Sequence, residues 1–344
     1  MHYIFYIENG ISLAISLKYI EEKKLKKEEV ILFSGRNIQI KSDFKSIDLT
    51  DLEFRTSWFF FKGWIKMYKV KKQVNNILKE NNIRNYIFHT SSVGKLSCYF
   101  LIKNKRCQSI FNIEDGRGAF YDEIEMINYV KSFHYSDNSY RFYQLKCWLN
   151  YFFLHYPDPN KTVPFLKSNN NALVSSKNAF SFVDNKYIVG DLFKNSNKNY
   201  LDVKCLMSLS YPVEDGLISL NKYLEVLRET FLRLIDRDIK EIHYKYHPQQ
   251  FKYPEHIKAY NNILKEYSSE IKFVLLDSSE ILESIMANSN AILLSDYSSI
   301  MIYTEGFGNE MISNYNLIKK HRKTDKSLPS FPLFLEQIIE RSNL

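Results

Sequence analysis

The sequence predicts an α/β protein whose parallel sheets are divided between two domains. Short apolar segments, which are typical of buried strands, alternate with longer segments of helical periodicity along most of the chain. This alternation is the pattern of a doubly wound sheet, in which each strand is followed by a helix. With 344 residues the chain is also long for a single hydrophobic core, and we therefore expect two domains.

The first half of the chain begins with a predicted βαβ unit over residues 3–35. Its first turn contains only Gly10, which argues against a glycine-rich dinucleotide site. Two further helix and strand pairs are predicted, at 69–81 with 86–89 and at 94–103 with 108–113.

The alternation resumes after a polar, turn-rich region between residues 157 and 199. Strands of the second half are predicted at 205–210, 239–246, 271–276 and 291–294. We predict an N-terminal domain at 1–185 and a second domain at 186–325. A C-terminal helix within 326–344 is expected to pack back toward the N-terminal domain.

The composition indicates an ordered globular protein that attracts anions. Hydrophobic residues make up 45% of the chain, and it contains only 10 glycines and 8 prolines. A formal net charge of +8 at pH 7 favours nucleotides, anionic glycans or an anionic membrane surface as partners. The positive charges are dispersed and form no recognised basic and aromatic module, so we expect no nucleic acid partner.

The N-terminus and the cysteines indicate a cytoplasmic protein. The chain enters its first predicted strand without a charged leader, and no segment approaches the roughly 20 apolar residues of a membrane span. Four cysteines without metal-type spacing are expected to be reduced core residues. Residues 57–72 mix aromatic residues with lysines. A buried aromatic stripe is the favoured interpretation there, and peripheral contact with the cytoplasmic membrane face is the alternative.

His247 is the first candidate site residue, because it follows the alternating apolar and polar residues of strand 239–246. Pro248 disfavours helical backbone angles at His247 and ends the strand, which places the imidazole at the carboxyl edge of a sheet. Lys245 lies two residues earlier and points to the same face. A lone His-Pro pair is also common in ordinary turns, so it needs support from other motifs.

The second candidate is the pair Ser298 and Ser299, which follows the apolar strand 291–294 and opens a helix at Ile300. Unpaired N–H groups and the positive end of the helix dipole favour phosphate at such a position, and the two hydroxyls are further donors. A simple N-cap is the alternative. Because ligands bind at the carboxyl ends of strands in open α/β sheets, a phosphate site shared with His247 is the favoured interpretation.

An acidic turn, Glu114-Asp115-Gly116, ends the last predicted strand of the first half. Adjacent side chains of an extended chain point in opposite directions, so one carboxylate can face a cleft while the other braces the loop. Such a carboxylate suits a general base for an acceptor hydroxyl. An ordinary turn is the alternative, and the same tripeptide recurs at 214–216. We interpret this second copy as a loop before the helix cap at Ser219, although it also faces the presumed cleft.

Glu280 opens the helix after strand 271–276. Its carboxylate is suited to accept hydrogen bonds from ribose hydroxyls, or it simply complements the helix dipole. Asp236 and Asp238 offer a carboxylate pair on the amino side of the next strand, away from the other motifs. We therefore discount that pair and expect no metal ion.

Taken in chain order, the acidic turn, His247-Pro248 and Ser298-Ser299 resemble the three signatures of bacterial sialyltransferases. Their order and approximate spacing are similar to glycosyltransferase family 52, which includes lipooligosaccharide sialyltransferases. They are secondarily similar to family 38, the capsular polysialyltransferases. The run from Ser210 to Ser219 also resembles the start of the second domain in family 52. The resemblance covers the layout of the whole chain but is specific only in these short motifs.

This resemblance implies the GT-B architecture, with two Rossmann-like domains that face a central cleft. It implies an inverting, metal-independent transfer of sialic acid from CMP-sialic acid, without a cofactor. The acceptor is then a galactose-terminated glycan of bacterial lipooligosaccharide or capsule. The linkage and the oligomeric state stay open, a homodimer included.

Carried over by position, Glu114 is the base that deprotonates the acceptor, and His247 is the acid on the leaving CMP phosphate. Asp115 and Asp215 stay open as alternative bases. The residues expected to bind the donor or to shape its site are Ser298, Ser299, Glu280, Pro248, Lys245, Asp115, Gly116 and Ser210.

Two other functions are compatible with the same motifs. One is a GT-B glycosyltransferase that uses another CMP-linked ulosonic acid or a UDP-hexose. The other is a non-catalytic protein that binds a glycan or a nucleotide on the same scaffold.

Overall fold

A computed structural model describes residues 1–35, 40, 42–52, 60–91, 95–122, 124–125, 171–190, 192–193, 200–277, 280–322 and 331–342. The chain divides into two compact units, Met1–Leu192 and Phe193–Leu344. Each unit contains a fully parallel β-sheet whose strands alternate with helices, which confirms the predicted α/β class. The boundary between the units falls a few residues after the predicted one at position 185.

Unit 1 contains a seven-stranded sheet with the order β3-β2-β1-β4-β5-β6-β7. Its strands are β1 (His2–Ile7), β2 (Val30–Ser34), β3 (Lys45–Asp48), β4 (Tyr86–Thr90), β5 (Cys107–Ile113), β6 (Asn171–Val174) and β7 (Asn185–Ile188). Its described helices include α1 (Gly10–Glu22), α2 (Phe60–Glu80) and α3 (Leu96–Ile102). Because β2 and β3 lie on one side of β1 and the later strands lie on the other, the strand order reverses between β1 and β4.

Burial follows position in the sheet of unit 1. Strand β2, which lies between β3 and β1, is buried along its whole length, as expected for a parallel strand covered on both faces. The edge strand β3 has the sequence Lys-Ser-Ile-Asp and is mostly exposed. Helix α1 begins at a reciprocal capping box, in which Asn9 and Ser12 bond each other's backbone N–H groups.

Helix α2 hides one face and exposes the other. Met67 and Val70 are buried, whereas Ile65 and Tyr68 are 58% and 70% exposed. This agrees with the expectation that one face of the segment at 57–72 packs in a core, although the start of that segment lies outside the described residues. Among the helices that the structure describes, none combines the length and the apolar character needed to cross a membrane.

Unit 2 contains a five-stranded sheet with the order β10-β9-β8-β11-β12. Its strands are β8 (Cys205–Ser208), β9 (Glu241–Lys245), β10 (Lys272–Leu275), β11 (Ile292–Ser295) and β12 (Met311–Ser313). Its helices are α4 (Leu220–Asp236), α5 (Pro254–Glu266), α6 (Leu282–Ala287), α7 (Ile300–Phe307), α8 (Tyr315–His321) and α9 (Leu333–Arg341) in the described residues. The first strand, β8, is central, and the strand order reverses between β8 and β11.

The C-terminal helix α9 packs within unit 2. Arg341 pairs with Glu305 of α7 at 2.8 Å, and the carbonyl of Ser342 accepts a hydrogen bond from the N–H of Ser313 at 2.6 Å. These contacts attach the end of the chain to α7 and to the edge strand β12. The packing of this helix toward the N-terminal domain stays a prediction.

Candidate functional site

The strand register of unit 2 brings three of the predicted motifs to one edge of its sheet. Ser208 at the end of β8 lies opposite Lys245 of β9 on one side and opposite Ser295 of β11 on the other. The chain leaves these three neighbouring strands toward Ser210, His247 and the pair Ser298-Ser299. All three segments therefore emerge beside the reversal point between β8 and β11, where open α/β sheets bind ligands.

His247 is half-buried at this edge, and a hydrogen bond from its backbone N–H holds it in place. Its N–H donates to Oε1 of Gln250 at 2.8 Å, and Pro248 begins the short 3-10 turn Pro248–Lys252 that follows. The imidazole packs on the ring of Tyr211, with 4.1 Å between ring centroids and 30° between planes. Burial lowers the pKa of His247 to about 4, so the ring is neutral at pH 7.

A neutral imidazole can act as an acid only after its pKa has risen. A phosphate bound beside the ring has this effect, since a nearby anion stabilises the imidazolium form. Protonation of His247 together with the binding of a phosphate stays a prediction.

Ser298 and Ser299 lie at the start of helix α7, and both are half-buried. Ser299 is the N-cap residue, yet its hydroxyl makes no side-chain cap hydrogen bond. The hydroxyl of Ser298 is only a distant acceptor for the N–H of Ile300, at 3.5 Å. Ser299 therefore holds the N-cap position without a side-chain cap hydrogen bond, and the binding of a phosphate by the pair stays a prediction.

Asp296 anchors the loop that carries the serine pair, although its role was not predicted from the sequence. The carboxylate is buried and accepts a hydrogen bond from the hydroxyl of Tyr223 at 2.8 Å and a longer one from Asn314 at 3.4 Å. The backbone carbonyl of Asp296 accepts from the hydroxyl of Ser313 at 2.8 Å. Helix α4 and the β12 loop thereby fix the residue two positions before Ser298.

We expect Asp296 to make the stability of unit 2 depend on pH. Burial raises the pKa of Asp296 from 3.8 to about 6, against the opposing effect of hydrogen bonds from Tyr223, Asn314 and Ser210. The folded state therefore keeps its proton up to about pH 6, whereas the unfolded state loses it near pH 3.8. The contribution of this group to the free energy of unfolding rises as the pH falls from about 6 to about 4.

The variant Asp296→Asn lacks this titration, so its free energy of unfolding relative to wild type should fall by roughly 2–3 kcal/mol between pH 7 and pH 4. Urea unfolding of both proteins at the two pH values measures the difference. Asp236→Asn, at the exposed end of α4, is the matched control and should show no such change. A difference for Asp296→Asn that does not vary with pH would contradict the assignment.

Lys245 and Glu280 are neighbours at the same sheet edge. The Lys245 ammonium donates to the backbone carbonyl of Glu280 at 2.7 Å, and the Glu280 carboxylate accepts from the hydroxyl of Tyr200 at 2.7 Å. Burial lowers the pKa of Lys245, and the carboxylates of Glu283, Glu280 and Asp277 oppose that effect. The structure thus brings two of the predicted donor-binding residues together, and their contact with a ribose or a phosphate stays a prediction.

The second acidic turn, at 214–216, lies in unit 2 and is anchored to helix α5. The Glu214 carboxylate is 2% exposed, and its Oε1 lies 2.9 Å from Nδ1 of His256 and 3.2 Å from the hydroxyl of Tyr260. Asp215 is exposed, and its N–H donates to the carbonyl of Tyr211 at 3.0 Å. Glu214 therefore holds the turn in place, while Asp215 remains an open alternative for the base.

The first acidic turn lies at the carboxyl edge of the sheet of unit 1. Glu114 is fully buried, and its two carboxylate oxygens accept the N–H and the hydroxyl of Ser175, at 2.8 and 2.9 Å. Asp115 is half-buried, and its carbonyl accepts from the side-chain amide of Asn9 at 2.8 Å. Gly116 has a φ of 105°, which only glycine adopts without strain, so this turn requires the glycine.

Unit 1 also contains a polar cluster that the sequence analysis did not single out. At the reversal between β1 and β4, the Glu8 carboxylate pairs with Lys95 at 2.6 Å and accepts from Ser91 at 3.1 Å. The Lys95 ammonium also donates to the hydroxyl of Tyr6 at 3.3 Å. The only signal in the sequence was an acid directly after the first strand, and its partners lie more than 80 residues away in the chain.

By sequence, the chain matches no protein-family model and no curated protein. By structure, it is similar to S. aureus MnaA in complex with UDP, with 14% identity, a TM-score of 0.52 and coverage of 99% of this chain and 88% of that one. It is also similar to the UDP-GlcNAc 2-epimerase from Neisseria meningitidis bound to UDP-GlcNAc, with 12% identity, a TM-score of 0.51 and coverage of 99% and 90%. MurG from Acinetobacter baumannii aligns with 9% identity, a TM-score of 0.43 and coverage of 93% and 83%.

These alignments span nearly the whole of this chain, and each of its two units contains a parallel sheet. The chain has the GT-B fold.

Proposed function

We propose that this chain is a GT-B glycosyltransferase that transfers sialic acid from CMP-sialic acid to a galactose-terminated glycan of lipooligosaccharide or capsule. The observation that carries the proposal is the set of motifs at one edge of the unit 2 sheet. There, Lys245 ends β9 and the half-buried His247 follows it, while the start of helix α7 with its serine pair follows β11, and β8 lies between these two strands. The resemblance of these motifs to sialyltransferase signatures supports CMP-sialic acid as the donor.

The chemistry of sialyl transfer uses these groups in a defined order. An acceptor hydroxyl attacks the anomeric carbon of the sialic acid, and its proton passes to a carboxylate. The bond between that carbon and the phosphate oxygen of CMP breaks with inversion. His247, protonated once the phosphate is bound, gives its proton to the leaving phosphate, and the serine pair and the α7 N-terminus stabilise the developing charge.

The resemblance supports Glu114 as the carboxylate that takes the proton. The contacts with Ser175 fix the orientation of Glu114, which a base requires, but they also engage both of its oxygens. The less buried Asp115 is the alternative, with Glu114 then bracing the loop. Catalytic contacts often form only when substrate is bound, so the geometry of the free protein does not reject Glu114.

A second candidate keeps the fold and changes the donor to a UDP-sugar. The structural similarity to a UDP complex and to a UDP-GlcNAc complex favours this candidate. A non-catalytic nucleotide-binding protein on the same scaffold is the third. Peripheral membrane contact, a cytoplasmic location and a homodimer are expectations that accompany the first proposal.

We expect CMP to raise the melting temperature of the protein more than UDP does. A ligand that binds only the folded state at about 100 times its Kd stabilises that state by about 2.7 kcal/mol. Thermal unfolding with CMP, UDP or neither gives the comparison, and the double variant Ser298→Ala/Ser299→Ala should lose the effect of CMP. Stabilisation by UDP and not by CMP would reject the sialyltransferase assignment in favour of a UDP-sugar enzyme.

A further inference from the structure

A fully buried glutamine links two of the segments at the candidate site of unit 2. Gln250 lies in the short 3-10 turn after His247 and is 0% exposed. Its Oε1 accepts the N–H of His247, and its Nε2 donates to the carbonyl of Ser210, both at 2.8 Å. The N–H of Gln250 also donates to the carbonyl of His247 at 2.9 Å. One side chain therefore connects the end of β9 to the end of its neighbour β8.

The two backbones that Gln250 joins carry the two rings that pack together. Ser210 is followed directly by Tyr211, whose ring lies 4.1 Å from the imidazole of His247. The bond to Ser210 holds the chain that carries the tyrosine, and the bonds to His247 hold the chain that carries the imidazole. A shift at Gln250 would therefore change the position of one ring relative to the other.

The link continues toward the serine pair. Ser210 lies near the buried Asp296 carboxylate and favours its ionised form, against the effect of burial. Asp296 in turn is held by Tyr223 and precedes Ser298 by two residues. Three buried polar residues, Gln250, Ser210 and Asp296, thus lie between the backbone of His247 and the loop that carries the serine hydroxyls.

We propose that Gln250 is a positioning residue that holds the imidazole of His247 against Tyr211, in the orientation required toward the leaving phosphate. The part of this inference that concerns turnover rests on the proposed glycosyltransferase function. The part that concerns the placement of the ring stands on the contacts of Gln250 alone and is measured without substrate.

The variant Gln250→Leu keeps the volume of the side chain and removes both hydrogen bonds. We expect kcat to fall by about 10²-fold, the size of effect that a misplacement of about 1 Å produces. Gln250→Glu keeps an acceptor for the N–H of His247 but turns an ionised oxygen toward the Ser210 carbonyl. Its activity relative to wild type should therefore recover as the pH is lowered and that carboxyl gains a proton, which a purely space-filling role does not predict.

A histidine titration followed by NMR gives the readout that needs no substrate. In the wild type, burial lowers the pKa of His247 to about 4. In Gln250→Leu the ring should leave its packed position, and its pKa should move toward the ordinary value of 6.5. The signal of His247 among the eight histidines is assigned from its loss in His247→Ala.

Tyr246→Phe is the matched control, because Tyr246 directly precedes His247 in the chain. The change removes one partly buried hydrogen bond, which the hydroxyl of Tyr246 donates to Asn261 at 2.7 Å. It should leave kcat and the titration of His247 unchanged. An unchanged titration in both Gln250 variants, or the same change in Tyr246→Phe, would overturn the positioning role. Absence of sialyl transfer by the wild type would instead reject the proposed function, and the titration would still decide the role of Gln250.

Discussion

Replacement of His247 by alanine should lower kcat for release of CMP from CMP-sialic acid by about 10²–10⁴-fold, the usual contribution of a general acid. The physical reason is that the leaving phosphate then lacks the imidazolium group that would give it a proton. The expected cause is chemical and not structural, because His247 is only half-buried and lies outside the strands and α-helices, in the segment after β9. Steady-state kinetics at saturating donor and acceptor measure the effect.

His243→Ala is the control for this experiment. His243 lies in the middle of β9, the strand that leads to His247, and pairs with Glu241 at 2.8 Å. Its removal should leave kcat within a few-fold of wild type. If His247→Ala also retained kcat within tenfold of wild type, His247 would not be the acid.

The same residue should show a coupling between nucleotide binding and protonation. The pKa of His247 is lowered to about 4 by burial in the free protein, and a bound phosphate acts in the opposite direction. The decrease of kcat with rising pH that marks deprotonation of the acid should therefore occur well above pH 4. NMR titration of His247 with and without CMP should show the pKa moving upward on binding.

Replacement of Glu114 by glutamine is the second change for which we expect a large loss, again about 10²–10⁴-fold in kcat. The exchange is well suited to separate catalysis from folding. A glutamine can still accept the N–H of Ser175 through its oxygen and donate to the Ser175 hydroxyl, so the contacts that hold the turn are kept while the base is removed. The affinity for CMP, measured by calorimetry, should change little.

Asp115→Asn is the paired variant, since it makes the same change at the neighbouring and less buried carboxylate. We expect it to cost less than tenfold in kcat. The opposite order, with a small loss for Glu114→Gln and a large one for Asp115→Asn, would transfer the role of base to Asp115 and leave Glu114 as a brace. If neither variant lost activity, Asp215→Asn would be the next to test.

The strands with strong local patterns were predicted from the sequence because that signal needs no distant partner. The apolar runs of β2 and β11 and the alternation before His247 all fall on observed strands. The strands β3, β6, β7 and β12 were not predicted. The first is polar and exposed at a sheet edge, β12 has only three residues, and β6 and β7 lie where turn-rich sequence suggested a domain junction.

The hydrogen-bond partners within the candidate site could not be predicted from sequence patterns, for a different reason. Gln250 is an ordinary polar residue in the sequence, and its importance comes from burial and from a hydrogen bond to a residue 40 positions earlier. Asp296 was visible only as part of a polar run before a helix, and its hydroxyl donor, Tyr223, lies 73 positions earlier. Likewise, no pattern in the chain shows that Ser175 takes both oxygens of Glu114.

The sequence by itself determined the α/β class and the two-domain organisation. It also determined the short motifs that we propose bind a phosphate and deprotonate an acceptor hydroxyl. These features follow from local periodicity and from the backbone preferences of proline and of helix starts. Only the tertiary structure decided that the segments of Ser210, His247 and Ser298 end neighbouring strands. The physical reason is that strand order and the contacts of buried polar groups arise from pairing between distant parts of the chain. The free energy of that pairing is not visible in any local sequence pattern.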